Sequence, residues 1–151
     1  EGCRTASKEE AEIISEIIID AIESGLAPAE IGVVTPFRRQ ARLVKRRLRR
    51  HPRLPSGAAA DIVADTVERF QGQERELVIL SLTTSDTDFL ERIADFYFQE
   101  ERWNVAVTRA RSKVVIVGSP AIRKFAPLDS ELIDQVALIR SLLNSAERVS
   151  E

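Results

Sequence analysis

The chain has 151 residues, of which 44% are hydrophobic and 30% charged, and its formal net charge is −2 at pH 7. This length suits one domain with a buried core, and no apolar run approaches the ~18 residues that a membrane-spanning helix needs. The single cysteine, Cys3, excludes an internal disulfide and predicts a cytoplasmic, intracellular protein. The start at Glu1 lacks a signal-peptide pattern, and its abruptness predicts a piece of a larger protein.

Charge is distributed unevenly along the chain. Residues 1–30 are mainly acidic, whereas residues 31–60 contain no acidic residue at all. The basic residues of this second stretch are Arg38, Arg39, Arg42, Lys45, Arg46, Arg47, Arg49, Arg50 and Arg53. Such a cluster raises the local positive potential whatever the net charge is. It is compatible with contact to nucleic-acid phosphates, with pairing to the acidic first helix, or with a solvated face.

The first third of the chain predicts a helix, a strand and a second helix. Ser7 to Glu10 reads as a capping box, apolar residues then recur at helical spacing, and Gly25 stands where a left-handed helix stop is expected. Ile31–Thr35 is a β-branched run that predicts a buried strand. Phe37, Ala41, Val44 and Leu48 step by four, three and four, which predicts an amphipathic helix with the arginine cluster on its wet face.

The rest of the chain predicts three more strands and three more helices. A loop is expected at 51–57, strands at 62–66, 77–82 and 113–118, an exposed polar segment at 83–88, and helices at 89–97, 102–110 and 129–146. The apolar stripe of the last helix comprises Leu132, Ile133, Val136, Ile139 and Leu143. Near-continuously hydrophobic strands separated by helices predict an α/β fold, in which a mainly parallel sheet forms a three-layer α/β/α sandwich. We expect one domain over residues 1–151.

A polar turn follows the strand at 62–66 and contains Gln71, Gly72 and Glu74. Ligands of open α/β sheets bind at the carboxyl ends of strands, so this turn is expected to lie at a ligand site. A glycine lets backbone N–H groups approach a phosphate, and a carboxylate suits ribose hydroxyls. Without further context, an ordinary turn with a solvated Glu74 accounts for the same residues.

The helix predicted at 102–110 places Arg102 and Arg109, seven residues apart, on one face. Trp103 and Ala106 lie on the other face, which is expected to pack against the sheet. A guanidinium is always charged, forms a planar fork that fits phosphate oxygens, and can stabilise charge in a phosphoryl-transfer transition state. A solvated basic face beside two glutamates is the alternative.

Other residues carry weaker signals. The aromatic residues Phe96, Tyr97, Phe98 and Trp103 favour packing over a base-stacking platform, because Trp103 lies on the expected core face. His51 has no cysteine or second histidine nearby, so no metal site is predicted. No phosphate-binding loop of the form G-x-x-x-x-G-K-[ST] occurs in the sequence.

Three segments, in order, resemble motifs of superfamily 1 helicases, most closely the branch that contains the nonsense-mediated-decay helicase. Residues 31–40, I-G-V-V-T-P-F-R-R-Q, are similar to I-G-V-V-T-P-Y-x-x-Q of that branch. Residues 66–74, T-V-E-R-F-Q-G-Q-E, resemble its motif V, T-V-x-x-F-Q-G-x-E. Residues 102–111, R-W-N-V-A-V-T-R-A-R, resemble its motif VI, R-L-N-V-A-L-T-R-A-R. The resemblance covers about residues 31–118.

The resemblance implies a RecA-like second helicase lobe of the P-loop NTPase fold, which closes with an N-terminal RecA-like lobe around ATP. Arg109 would be the arginine finger, while Gly72, Glu74, Gln71 and Arg102 would contact ATP. A nucleic-acid surface for single-stranded DNA or RNA would comprise Thr35, Pro36, Arg38, Arg39 and Thr66. The ligands for Mg²⁺ and the phosphate-binding lysine are expected upstream of Glu1, and the isolated chain is expected to lack useful ATPase activity.

The function implied is ATP-dependent movement along DNA or RNA in the 5′ to 3′ direction. A second hypothesis is a non-enzymatic nucleic-acid-binding or interaction module that retained the fold. A phosphate-binding lysine in the sequence upstream would favour the motor, and its absence would favour the module.

Overall fold

The computed structural model describes residues 3–146. Four strands form its single sheet: β1 (Ile31–Thr35), β2 (Val63–Thr66), β3 (Arg75–Ser81) and β4 (Ala110–Val117). The α-helices are α1 (Lys8–Glu23), α2 (Arg38–Arg50), α3 (Ala58–Asp61), α4 (Val67–Phe70), α5 (Thr87–Tyr97), α6 (Glu100–Thr108), α7 (Pro120–Lys124) and α8 (Ile133–Ser145). Short 3₁₀ turns occupy Pro28–Glu30 and Ser130–Leu132.

All strand pairs are parallel, and the strand order is β2-β1-β3-β4. Thr35 of β1 pairs with Thr66 of β2, and Ser81 of β3 pairs with Val117 of β4. The four strands therefore end at one edge of the sheet, which we call the carboxyl edge, and begin at the opposite amino edge. The predicted α/β fold with a parallel sheet is confirmed.

Two hydrophobic cores lie on opposite faces of the sheet. Side chains alternate across a strand, so Val33 contributes to one core and Val34 to the other. Helices α1 and α2 cover the face of Val33, whereas α5, α6, α7 and α8 cover the face of Val34. The predicted three-layer sandwich is thereby confirmed, with the arginine-rich helix in an outer layer.

The first helix begins at Ser7 as predicted, since the Ser7 hydroxyl accepts a hydrogen bond from the Glu10 N–H at 3.2 Å. The reciprocal half of the capping box is absent from the structure. The Ser7 N–H instead donates to the Gln40 side-chain carbonyl at 2.7 Å, because the Glu10 carboxylate turns inward to β3. Gly25 adopts the left-handed conformation expected of a helix stop, with φ at 109°.

Several predicted boundaries were wrong for local reasons. The helix predicted at 102–110 lies at Glu100–Thr108, because Ala110 already pairs with Arg75 in the sheet. Thr83 and Thr84, expected to be exposed, are buried, since their polar groups bond to other protein atoms instead of water. Ile133, placed in the apolar stripe of the last helix, is 52% exposed. The short helices α4 and α7 were not predicted.

A buried polar cluster joins α1 and α2 to the carboxyl edge; we call it the edge network, comprising Glu10, Thr35, Gln40, Ser81 and Thr83. The Ser81 hydroxyl donates to the Glu10 carboxylate at 2.7 Å, and the Thr83 N–H donates to both carboxylate oxygens at 3.0 and 2.9 Å. Burial raises the pKa of Glu10 to about 7, an effect that these hydrogen bonds partly oppose.

No helix within residues 3–146 has the length and apolar character required to cross a membrane.

Gly32 lets the Phe70 ring pack directly on β1. A Cβ at position 32 would lie 2.4 Å from the Phe70 Cζ, so Gly32→Ala is expected to destabilise the fold by about 1–3 kcal/mol through overpacking. Urea unfolding of Gly32→Ala, Phe70→Leu and the double variant measures the effect. A double variant whose destabilisation equals the sum of the single ones would contradict a direct steric contact.

Glu10 makes the stability of the fold depend on pH. A folded-state pKa of about 7, above the ordinary 4.5, means that its stabilising contribution is full below pH 4.5 and disappears as the pH rises through 7. The free energy of unfolding should therefore fall by about 3 kcal/mol between pH 4.5 and 8, relative to Glu10→Gln. Urea titrations of both proteins across this range measure the difference, and parallel pH profiles would contradict it.

Candidate nucleotide and nucleic-acid sites

The predicted site residues divide between the two edges of the sheet. The turn at residues 71–74 immediately precedes β3 and so lies at the amino edge, not at the carboxyl ends of strands as expected. The physical reason is α4, which carries the chain away from the end of β2 and toward the start of β3. Thr35, Pro36 and Thr66 remain at the carboxyl edge.

The amino-edge turn is open to solvent on its outer side. Gly72 has φ at 76°, a left-handed conformation that favours glycine, and an added Cβ would meet no atom within 4 Å. Gln71 and Glu74 are exposed beside it. Below the turn, the Phe70 ring is fully buried against β1, which anchors the turn to the sheet. The backbone of this turn is therefore accessible to an anion.

The backbone of Arg109 is hydrogen-bonded to Arg75, the residue that follows this turn. Arg109 caps the C-terminal end of α6, and its carbonyl accepts a hydrogen bond from the Arg75 N–H at 2.9 Å. Its guanidinium donates to the Thr108 hydroxyl at 3.2 Å, while its buried Nε has no hydrogen-bond partner in the described part of the chain. Arg109 thus retains donors for a further oxygen ligand.

The neighbouring Arg111 differs, because carboxylates already neutralise it. Its guanidinium bonds to Glu30 and, at 2.8 Å, to Glu76. A hydrogen bond from Ser112, and then the one from Arg111, lower the pKa of Glu76 below its ordinary value. Of the two arginines that end the motif VI segment, only Arg109 lacks a carboxylate partner among residues 3–146.

At the carboxyl edge, the predicted threonines point inward. Thr35 is 0% exposed and Thr66 is 6% exposed. The Thr35 hydroxyl lies 3.1 Å from the Thr83 hydroxyl. In this structure it is therefore not accessible to a nucleic-acid strand. Arg38 and Arg39 are exposed on the first turn of α2, and Pro36 is partly exposed. These three residues form the accessible part of the predicted nucleic-acid surface.

Arg102 lies apart from the other predicted ATP-binding residues. It is near the start of α6, seven residues or about 10 Å of helix from Arg109. Its guanidinium pairs with Glu68 and stacks 4.1 Å from the centre of the Phe96 ring, and desolvation lowers its pKa. Arg102 is thus already paired within residues 3–146, and its contact with ATP stays a prediction.

The arginine-rich helix pairs with α1 only at its far end. Arg47 pairs with Glu12 at 3.5 Å, and beyond the helix Arg53 pairs with Glu16, Asp20 and Glu23. The remaining basic side chains make no ion pair with residues 3–146; they are Arg38, Arg39, Arg42, Lys45, Arg46, Arg49 and Arg50. The acidic first helix therefore accounts for only part of the cluster.

The other sequence signals resolve into structural roles. Trp103 is buried and donates its indole N–H to the Tyr97 carbonyl at 2.7 Å, which confirms packing over base stacking. His51 lies 2.9 Å from Glu16. Within the described range 3–146, no cluster of three or more histidine, cysteine, aspartate or glutamate residues is arranged to hold a metal ion.

Sequence reasoning missed most of the edge network. Gln40 lay inside the first resemblance segment, and its inward position in the helical repeat was a usable signal. Thr83 carried no signal, because its left-handed φ of 70° is a feature of the folded backbone alone. Arg75 was also missed; it lies between the amino-edge turn and Arg109, and its side chain bonds to the turn at Gln73.

Comparison with known proteins gives the family. Residues 3–121 match the family described as the AAA domain. The chain is 28% identical to the "Regulator of nonsense transcripts 1 homolog" of Arabidopsis thaliana over 97% of its length, and 29% identical to the "DNA replication ATP-dependent helicase/nuclease DNA2" of Mus musculus over 94%. It spans only 12% and 13% of these curated relatives. The chain therefore belongs to the AAA domain family and is a RecA-like domain of the superfamily 1 helicase type, in the branch that contains the nonsense-transcript regulators.

Proposed function

We propose that this chain is the second RecA-like lobe of an ATP-dependent superfamily 1 helicase that acts on DNA or RNA. The observation that carries the proposal is the amino-edge arrangement, in which Arg109, without a carboxylate partner among residues 3–146, is bonded through its backbone to Arg75, directly after the open Gly72 turn. A cation with spare donors next to an exposed glycine backbone is suited to the phosphates of ATP. Glu74 and Gln71, exposed at the same turn, suit the ribose.

In this proposal the N-terminal lobe of the same protein holds the phosphates and Mg²⁺, and closure brings them against the amino edge. Arg109 then stabilises the charge that develops on the γ-phosphate, an effect worth about 10³ to 10⁵ in rate for arginine fingers. The C-terminal position of Arg109 on α6 is compatible with the helix dipole, which favours a cation there. Arg102, paired with Glu68, has a structural role instead.

A single strand of DNA or RNA would cross the carboxyl edge of the sheet. Pro36, Arg38 and Arg39 form the accessible surface there, and guanidinium groups on a first helical turn suit backbone phosphates. Closure and opening of the lobes would advance the strand in the 5′ to 3′ direction, the direction implied by the resemblance. Residues 1–151 would act as one lobe of the motor.

A non-enzymatic nucleic-acid-binding or interaction module that retained the fold is the second candidate. The exposed basic side chains of α2 support it. A phosphate-binding lysine in the preceding sequence decides between the two candidates.

Arg109→Ala in the full-length protein should lower the rate of ATP hydrolysis by about 10³-fold or more, because the charge-stabilising guanidinium is lost. ATP affinity should change little, since the other lobe binds most of the nucleotide. Arg111→Ala is the matched control, because Arg111 is occupied by Glu30 and Glu76. Steady-state hydrolysis and equilibrium nucleotide binding separate the two effects. Retained turnover in Arg109→Ala would exclude the finger role.

Replacing Arg38 and Arg39 with alanine should weaken single-strand binding by the full-length protein and reduce its salt dependence. Each lost phosphate contact lowers the slope of log K against log salt by about 0.7, so the pair should lower it by about 1.4. Arg49 and Arg50, exposed at the opposite end of α2, provide the control pair. An unchanged slope for the Arg38/Arg39 variant would remove this turn from the interface.

A further inference from the structure

The edge network contains a backbone conformation that its residue type disfavours. Thr83 has φ at 70°, and it is the only non-glycine residue of the described part of the chain with a positive φ. A β-branched residue in this region is strained by about 1–2 kcal/mol and persists where its surroundings enforce it. Here the Glu10 carboxylate enforces it, since both oxygens accept from the Thr83 N–H.

From Thr83 the network reaches the start of α2. The Thr83 hydroxyl lies 3.1 Å from that of Thr35, which accepts a long hydrogen bond from the Phe37 N–H at 3.4 Å. No side chain caps the N-terminus of α2 otherwise, because Phe37 is at the cap position. The network thus supplies a contact to the residue from which α2 begins.

Gln40 ties the same turn of α2 to two other elements. Its side-chain amide donates to the Ser81 hydroxyl at 3.1 Å and to the Ser7 carbonyl at 3.2 Å, and its carbonyl accepts from the Ser7 N–H at 2.7 Å. Gln40 is 0% exposed, whereas the adjacent Arg39 is exposed. The inner side of the first turn is therefore fixed while its outer side faces solvent.

We propose that Glu10 and Thr83 are positioning residues for nucleic-acid binding, which hold the first turn of α2, and so Arg38 and Arg39, in place at the carboxyl edge. The inference rests on the proposed function, in which these two arginines contact the strand. Neither Glu10 nor Thr83 touches the strand itself, since they are 6% and 1% exposed.

Simple packing does not account for a carboxylate at this position. Glu10 has no ion-pair partner among residues 3–146, and a buried charge without a cation is costly compared with an apolar side chain. Its hydrogen bonds fit a holding role, since they fix a strained N–H and a hydroxyl of β3. A carboxylate accepts such bonds more strongly than a neutral group.

Protonation of Glu10 would change the direction of the hydrogen bonds. The ionised carboxylate accepts from Ser81, whereas the acid can donate to the Ser81 oxygen, which then donates onward to the Thr83 hydroxyl 3.3 Å away. Tyr97 from α5 is the buried titratable neighbour, and its pKa is raised by burial and by the charge of Glu10. Along the chain, Lys8 and Glu9 precede Glu10 in α1 and Arg39 precedes Gln40 in α2, while Arg4 pairs with Asp86 at 2.8 Å.

The test compares the full-length wild type with Glu10→Gln and Thr83→Gly, using a fluorescent oligonucleotide between pH 6 and 8. Glycine adopts positive φ without strain and keeps the N–H for Glu10, so Thr83→Gly removes the hydroxyl link, together with the rest of the small Thr83 side chain, and should fold. We expect Thr83→Gly to weaken the affinity for the oligonucleotide about fivefold, as for one lost hydrogen bond, and to leave the affinity for ATP unchanged. For Glu10→Gln, we expect the ratio of its oligonucleotide affinity to that of the wild type to change in one step near pH 7, because only the wild type has the titrating Glu10.

Arg38→Ala with Arg39→Ala separates this proposal from the proposed function. One outcome would overturn the positioning role alone. In it, the arginine variant loses oligonucleotide affinity, while Thr83→Gly and Glu10→Gln both keep the wild-type affinity and pH profile. Unchanged affinity in the arginine variant would overturn the proposed interface, and the positioning role with it. Equal loss of strand and nucleotide affinity in Thr83→Gly, with a lower melting temperature, would show a general structural role and also overturn the proposal.

Discussion

One backbone hydrogen bond joins the two segments of the proposed nucleotide surface: that from the Arg75 N–H to the Arg109 carbonyl, at 2.9 Å. It extends the parallel pairing of β3 with β4 by one residue beyond the amino edge. Because the turn at 71–74 leads directly into β3 and α6 ends directly before β4, this bond brings two segments separated by more than thirty residues side by side. A backbone contact of this kind does not depend on rotamers, so the sheet itself positions the backbone from which the proposed finger extends.

The motif V segment connects the two edges of the domain. It begins at Thr66, paired with Thr35 at the carboxyl edge, and reaches Gly72 at the amino edge within six residues. Between them, α4 packs Phe70 against Gly32 near the start of β1. A displacement of the turn by a bound nucleotide would therefore press on β1, whose end carries Pro36 and the start of α2. This short, buried connection offers a physical route by which the proposed nucleotide and nucleic-acid surfaces affect each other.

The strands and the long helices were predictable because each buries an apolar set with a simple period. Val33, Val34, Ile79 and Leu80 read as strand, and Ala41, Val44 and Leu48 as one face of a helix, since both signals are local. The edge at which the Gly72 turn lies was not predictable, because four residues of α4 decide it and carry no helical period of their own. The inward direction of Thr35 and the pairing of Arg102 with Glu68 also depend on partners distant in sequence. Local patterns thus identify elements and candidate residues, while their grouping into sites is a property of the folded sheet.

The charge of α2 is best understood from its two ends. At the far end Arg47 is paired with Glu12, and Arg53 just beyond the helix is paired with Glu16 and Glu23, so the acidic first helix neutralises part of that region. At the near end, Glu10 of α1 turns inward and accepts hydrogen bonds from the Ser81 hydroxyl and the Thr83 N–H. The arginines there gain no ion pair from it, and a helix N-terminus adds its own partial positive charge. Glu10 therefore leaves the positive charge of Arg38 and Arg39 at the carboxyl edge unneutralised, although the net charge of the chain is −2.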